Sequence, residues 1–360
     1  MCRKGQAVPE KEDFNVRYPE FLKEKGTIGF VAPSFGCEIE PYRTAFDNAL
    51  KKLSALGFRL DLGPNCYAGE GVGISNTPEK CGEELTKYYL KEDNECLISC
   101  GGGELMCEIL EHVDFEAIKK AGPKWYMGYS DNTNMTFLLA TLCDTAAVYG
   151  PCAATFGMEP WHPAVSDALE VLQGKKQALG SYGMWEKEGL EDALAPYQCT
   201  EPLALKAWRP AGNEMEKTGG VSMRGRLIGG CMDCLVTLLG TKFDKVADFL
   251  EKYKEDGFIW FLEACDLNVF GIRRAMWQME QAGWFRYAKG FLIGRPLCNG
   301  QEMIGLDQYE AVLPTVRRHK VPVIMDADLG HLPPMMPLVT GSMAEIKMEK
   351  EKLAITMEYK

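Results

Sequence analysis

The chain of 360 residues is 46% hydrophobic and 25% charged, an ordinary globular balance that excludes a disordered or collagen-like protein. Its 40 Lys and Arg against 51 Asp and Glu leave a net charge of −11, so nucleic acid and anionic membrane, both approached through basic surface, are not expected partners. The length suits two domains. No run of about 18 apolar residues is present, and residues 1–25 lack the apolar segment of a secretory signal, so a cytoplasmic location is expected.

The first predicted element is a buried strand at 27–34 (TIGFVAPS) that runs into a loop. Residues 42–56 place Phe46, Ala49, Leu50, Leu53 and Leu56 at helical spacing, and 57–62 read as a second strand. A helix at 78–92 precedes a strand at 95–99, which opens into Gly101, Gly102 and Gly103. A helix at 104–112, a strand at 123–128 and a helix at 132–143 follow. Such alternation indicates βαβ units and a parallel sheet, with ligands bound outside the carboxyl ends of the strands. The glycines and Ser130 both fall at those ends.

Residues 1–170 are therefore read as a doubly wound α/β domain carrying the nucleophile. Across 171–225 the pattern weakens into charge, Gly and Pro, as in an interdomain linker or substrate loop. Trp185 and Trp208 stand there as isolated aromatics, each either a packing anchor or a substrate contact. Residues 226–360 form a smaller C-terminal α/β domain with a barrel-like sheet. Helices are expected there at 231–239 and 271–282, and strands at 257–262, 291–293 and 321–325.

The 14 cysteines are irregularly spaced among apolar neighbours and read as packing groups. The one CxxC, Cys231 and Cys234, has no second cysteine pair or close histidine pair to complete a zinc set, and no metal or cofactor is expected. A redox or metal role for that pair is the alternative.

Four positions can carry chemistry. Ser130, in the stretch GYSDN, sits where a strand turns sharply into a helix, which exposes its hydroxyl and aims the unpaired N–H groups of the helix at developing negative charge. The usual elbow has Gly two residues on, where this chain has Asn132; Ser130 or Asp131 as a plain helix cap is the alternative. Gly101, Gly102 and Gly103 let backbone approach a ligand and present N–H groups to an anion, or simply make a tight turn. Glu263 ends an apolar strand, a rigid place for an orienting acid or an exposed strand terminus. His331 follows another strand and is suited to proton transfer near neutral pH. His112, His162 and His319 read instead as surface or capping groups.

In this order, TIGFVAPS, the glycine loop, PKWYMGYSDNT with VYGP, GRLIGGCMDCLVTLLGT, FIWFLEA with Arg273 and Arg274, GFLIGRP and PVIMDADLGH resemble the LD-carboxypeptidases of peptidase family S66, which include the microcin C immunity proteins. The resemblance runs from Thr27 to about Ile346. It implies a homodimer and a cofactor-independent Ser–Glu–His triad of Ser130, Glu263 and His331, with the backbone N–H groups of Gly102 and Asp131 as an oxyanion hole. It also implies a small substrate of one of two classes: a muropeptide that loses its C-terminal residue, or a peptidyl-nucleotide. Many members have Arg immediately before the glycine pair, where this chain has Cys100. Arg224, Arg273 or Arg274 could bind a substrate carboxylate. Asp326 or Asp328 could replace Glu263 as the orienting acid. Two other readings stay open: a two-domain ligand-binding protein without turnover, and a cysteine amidotransferase using Cys100 or Cys107.

Overall fold

The computed structural model describes residues 15–188 and 192–359. The first 14 residues of the stretch read for a secretory signal, and residues 189–191 of the expected linker, lie outside this range. The first sheet contains β1 (Thr27–Val31), β2 (Arg59–Leu62), β3 (Cys96–Ser99), β4 (Trp125–Gly128) and β5 (Ala147–Tyr149), hydrogen-bonded in parallel in the order β2-β1-β3-β4-β5. All but the edge strand β2 are buried along their whole length, which is why they read as unbroken apolar runs rather than alternating ones. The connections supply α1 (Tyr42–Ala55), α2 (Pro78–Leu90), α3 (Phe115–Lys120) and α4 (Thr133–Cys143), and α5 (Pro163–Leu172) follows β5. Residues 104–112, expected as a helix, form a tighter 3₁₀ turn over Met106–His112.

The second sheet has nine strands. The strands after β5 are β6 (Ala178–Gly180), β7 (Met184–Trp185), β8 (Glu201–Pro202), β9 (Lys206–Ala211), β10 (Glu214–Thr218), β11 (Gly220–Cys231), β12 (Phe258–Glu263), β13 (Ala288–Gly294) and β14 (Val323–Ala327). The last three are β15 (Leu338–Thr340), β16 (Met343–Glu349) and β17 (Lys352–Glu358). The sheet runs β10-β9-β14-β13-β12-β11-β16-β17-β6, with β11 to β14 parallel at its centre and the flanking strands antiparallel. Its helices are α6 (Met232–Leu238), α7 (Val246–Lys252), α8 (Val269–Gln281) and α9 (Gln308–His319).

The stretch expected as a linker thus supplies β6, the small β7–β8 pair, β9, β10 and the start of β11. β6 and β10 sit at the two edges of the sheet and β7 and β8 are two residues each, while β9 and β10 alternate exposed charge with apolar residues, which dilutes the apolar pattern. β15 leaves the second half of the chain and pairs antiparallel with β5, closing the first sheet. Between the sheets lies α4, buried at ten of its eleven residues and packed on both β5 and β11. A helix apolar on every side, as TNMTFLLATLC is, has to be enclosed like this. No helix among the described residues is long and apolar enough to cross a membrane.

Candidate active site

The site forms where the carboxyl ends of β4, β12 and β14 meet. β4 delivers Ser130 in a left-handed conformation, φ +62°, from which a 3₁₀ turn leads straight into α4. A non-glycine residue held in this region marks a position the surroundings over-determine. The Ser130 N–H donates to the Tyr149 hydroxyl at 3.2 Å. The Asn132 amide ties the turn to the glycine loop by donating to the Gly101 carbonyl at 2.8 Å and to that of Tyr129 at 3.1 Å. The buried Asp131 carboxylate accepts from Ser34 Oγ at 2.6 Å, Met106 N at 2.9 Å and Asn134 Nδ2 at 3.1 Å. Burial pushes its carboxyl above the ordinary range against those bonds.

Glu263 closes β12 and is fully buried. Its Oε2 lies 2.8 Å from His331 Nδ1, and its Oε1 accepts from the Tyr149 hydroxyl at 2.6 Å. His331 Nε2 lies 2.8 Å from Ser130 Oγ. The loop after β14 can bring the ring this close because Gly330 adopts φ +105°, where a Cβ would stand 2.8 Å from Glu263 Oε2. Asp328 anchors the same loop, accepting from buried Arg295 at 2.7 Å and from Tyr182 N at 2.8 Å. The ring of Tyr129 packs on that of His331 at 5.2 Å.

Burial alone would raise Glu263 and lower His331, but their mutual attraction reverses both. The charge and hydrogen bond of His331, with bonds from Tyr149 and Cys231, hold Glu263 below the ordinary carboxylate range. Glu263, with Cys265 assisting, holds His331 well above the ordinary imidazole range. A carboxylate can only accept, so it fixes the proton on Nδ1 and leaves Nε2 of the neutral ring to accept from Ser130.

The glycine loop faces this array. At Gly102 a Cβ would lie 3.2 Å from both Cβ and Oγ of Ser130, so only glycine leaves the hydroxyl uncrowded. The Gly102 N–H donates to no other group among the described residues, while its carbonyl accepts from Phe35 at 2.8 Å. Gly103 lines the pocket beside Ser130.

Other expected contacts lie elsewhere. Trp208 packs on Tyr309 at 5.6 Å, and Trp185 lies under the Arg295 guanidinium at 5.0 Å; neither lines the pocket. Arg224 pairs with Glu358 at 3.0 Å and Arg273 donates to the Glu310 carbonyl at 2.8 Å. Asp326 is held by Gln308 and Tyr309, each at 2.7 Å, and Asp328 by Arg295, so Glu263 is the acid that meets His331. Cys100 is buried, its thiol pushed up first by that burial.

Four thiols expected as packing groups, those of Cys107, Cys231, Cys234 and Cys265, line the pocket. On α6 the buried stripe is Met232, Leu235 and Leu238, one position offset from the CxxC pair. Sequence reasoning also missed Tyr149, which bridges the Ser130 turn and Glu263. Its signal was the apolar AAVYG stretch, an unassigned strand whose end joins the same edge.

This arrangement can move a proton from a hydroxyl to an imidazole whose positive charge a buried carboxylate compensates. Residues 28–150 match the model of the LD-carboxypeptidase N-terminal domain, and residues 224–346 that of the LD-carboxypeptidase C-terminal domain. The microcin C7 self-immunity protein MccF of Escherichia coli is 24% identical over 342 residues, 92% of this chain and 94% of that protein. A probable murein peptide carboxypeptidase of Bacillus subtilis is 23% identical over 350 residues, 95% of each. Among solved structures, an MccF-like protein from Bacillus anthracis superposes with a TM-score of 0.77 at 22% identity, covering 94% of this chain and 98% of that one. MccF in complex with aspartyl sulfamoyl adenosine superposes at 0.74 and 21% identity, covering 95% and 98%. The family's two domains thus follow one another in order along more than half of the chain: the protein belongs to the LD-carboxypeptidase family, peptidase family S66.

Proposed function

We propose that this chain is a serine amide hydrolase of the LD-carboxypeptidase type, cleaving the C-terminal residue from a muropeptide-like substrate through an acyl-enzyme. The observation that carries this reading is the pair of 2.8 Å contacts joining Ser130, His331 and Glu263, three residues from distant parts of the chain. Ser130 Oγ attacks the amide carbonyl as its proton passes to His331 Nε2. The oxyanion is stabilised by the N–H groups of Gly102 and Asp131. Collapse breaks the C–N bond, and His331 returns the proton to the leaving amine. Water then attacks the ester carbonyl as its proton passes to His331, and collapse breaks the bond to Ser130 Oγ, which takes that proton back from His331 as the acid leaves.

A second substrate class, the peptidyl-nucleotide amide, is favoured by the likeness to MccF, one of whose structures holds aspartyl sulfamoyl adenosine. Mass spectrometry of the purified protein against muropeptides and peptidyl-nucleotide analogues separates the two. Ser130→Ala is expected to lower turnover on the order of 10⁶-fold. A folded Ser130→Ala variant with full activity would remove the serine mechanism. Ligand affinity without product in the wild type would favour the non-catalytic binder.

A further inference from the structure

We propose that Cys231 and Cys234 form a modification site, a dithiol that hydrogen peroxide oxidises to a disulfide, and that this disulfide lowers turnover at Ser130. The disulfide stands on the geometry of the pair; its effect on turnover deepens the hydrolase reading and rests on it.

The fold brings the two sulfurs together. Cys231 ends β11 and caps α6, and Cys234 lies in the first turn of that helix. Three residues on entering a helix put α-carbons about 5–6 Å apart, inside the roughly 4.4–6.8 Å that a disulfide spans. The two thiols are hydrogen-bonded to each other. The Cys231 N–H donates to Thr133 Oγ1 at 3.0 Å, which fixes the cap against α4. Both cysteines line the pocket beside Ser130, where a molecule as small as peroxide can reach them. Cys231 is 1% exposed and Cys234 half-buried, so Cys234 meets the oxidant first.

The pair also touches the catalytic array. Cys234 Sγ lies 3.6 Å from the Ser130 carbonyl oxygen and 3.9 Å from Asp131 Oδ1, both acceptors. Cys231 Sγ lies 3.3 Å from Asp233 Oδ2 and supplies a bond to Glu263. Oxidation removes both S–H hydrogens, so the Ser130 carbonyl and Glu263 each lose a donor at once.

The chemistry balances with peroxide as the oxidant. The Cys234 sulfur attacks one peroxide oxygen, the O–O bond breaks, and the thiol proton leaves in water, giving a sulfenic acid. The Cys231 sulfur then attacks the Cys234 sulfur, the S–O bond breaks, and the second thiol proton leaves in a second water. Two electrons pass from the thiols to the peroxide. The bond from Cys231 favours the Cys234 thiolate, but burial and then the charges of Asp131, Glu263 and Asp233 outweigh it and hold the thiol above its ordinary range. Cys107 faces it from the 3₁₀ turn as well. The test is therefore run on the alkaline side of neutrality, where more of the thiol is ionised.

Purified wild type is treated with hydrogen peroxide, and the remaining thiols are blocked with iodoacetamide. Both cysteines fall in one tryptic peptide, residues 227–242. That peptide is expected to lose the mass of two hydrogens, to take up no iodoacetamide, and to regain both thiols in dithiothreitol. Turnover should fall about tenfold over the same time course and return with the reductant. Cys234→Ser, compared with its own untreated sample, should keep its turnover after peroxide. Cys231→Ser should give the peptide added oxygen rather than the loss of hydrogen, since nothing resolves the sulfenic acid. Cys265→Ser should lose turnover to peroxide by the same factor as wild type. A disulfide that maps to Cys107 or Cys265, or no loss of hydrogen from the peptide, would overturn the site. A disulfide without a fall in turnover, in a protein that hydrolyses its substrate, would overturn its control of Ser130. A protein that hydrolyses nothing would sink the hydrolase reading, while the peptide mass would still decide the disulfide.

Discussion

His331 decides the pH dependence. The imidazolium has no lone pair for the Ser130 proton, so only the neutral ring can act as base. Glu263 favours the charged ring and moves its titration well above the ordinary 6.5. The value of kcat/KM is therefore expected to rise with pH, with its half-maximum on the alkaline side of 6.5 rather than below it. Glu263→Gln should move that limb back towards acid, because the attraction is gone and burial then favours the neutral ring. It should also cost on the order of 10⁴ in kcat, since the tautomer is no longer fixed. A pH–rate profile of both proteins checks the two shifts; limbs that coincide would detach Glu263 from His331. At Gly102 the added methyl of Gly102→Ala would meet Ser130 Oγ at 3.2 Å. A loss on the order of 10² in kcat with an unchanged melting temperature is expected, because displacing a nucleophile by a fraction of an ångström suffices. Single-turnover kinetics beside a thermal melt reads it. Ser130, Glu263 and His331 were legible because Glu263 ends a strand and the other two lie in the short loops that leave one, and strand ends carry ligands in such sheets. The roles of Tyr149 and of the pocket-lining thiols were not. Their positions depend on which strand ends become neighbours, and no local spacing encodes that.

Among the elements, the loop between β14 and His331 holds the site in register. Arg295, on the residue after β13, donates to Asp328 and to the Asp326 carbonyl, both partners being buried. Tyr182 N reaches the same Asp328, and Glu186 N donates to the Pro333 carbonyl at 2.8 Å, so the segment around β7 is tied to the histidine loop from both sides. Trp185 completes this clamp by lying under Arg295. Asp328→Asn leaves the guanidinium buried without its counter-charge. That is expected to cost about 3–5 kcal/mol of stability and to lower kcat more than it raises KM. Denaturant melts and steady-state kinetics check both effects. An unchanged melt would make the pair dispensable. The clamp was invisible in the sequence for a physical reason. β7 and β8 are two residues each, too short for any period to register, and GFLIGRP reads equally well as a strand followed by a surface turn. The longer elements β1, β3, β4 and α1 were legible because burial on one or both faces imposes a pattern on every residue.

At the scale of the molecule, the two halves share a sheet. β15, from residues 338–340, pairs Leu338 with Tyr149, Val339 with Val148 and Thr340 with Ala147, so the first sheet is completed only by the second half of the chain. The strand that receives it ends in the tyrosine bonded to Glu263. α4 would expose an apolar face if β11 were absent, and a single continuous cluster of buried residues runs through both sheets. Arg226 of β11 ties the second sheet to the residue after β15, donating to the Gly341 carbonyl at 2.5 Å beside an ion pair with Asp256. Contacts that cross the boundary so often make unfolding one event. A single calorimetric transition is expected, with the van't Hoff enthalpy matching the calorimetric one. A fragment of residues 1–170 should lack a sharp melt even though it holds all five parallel strands. Two resolved transitions, or a fragment with cooperative unfolding of its own, would show that the nucleophile-bearing sheet stands alone. Because Ser130 belongs to one half while Glu263 and His331 belong to the other, unfolding of either half would separate them. Loss of activity on heating should therefore coincide with the melt rather than precede it.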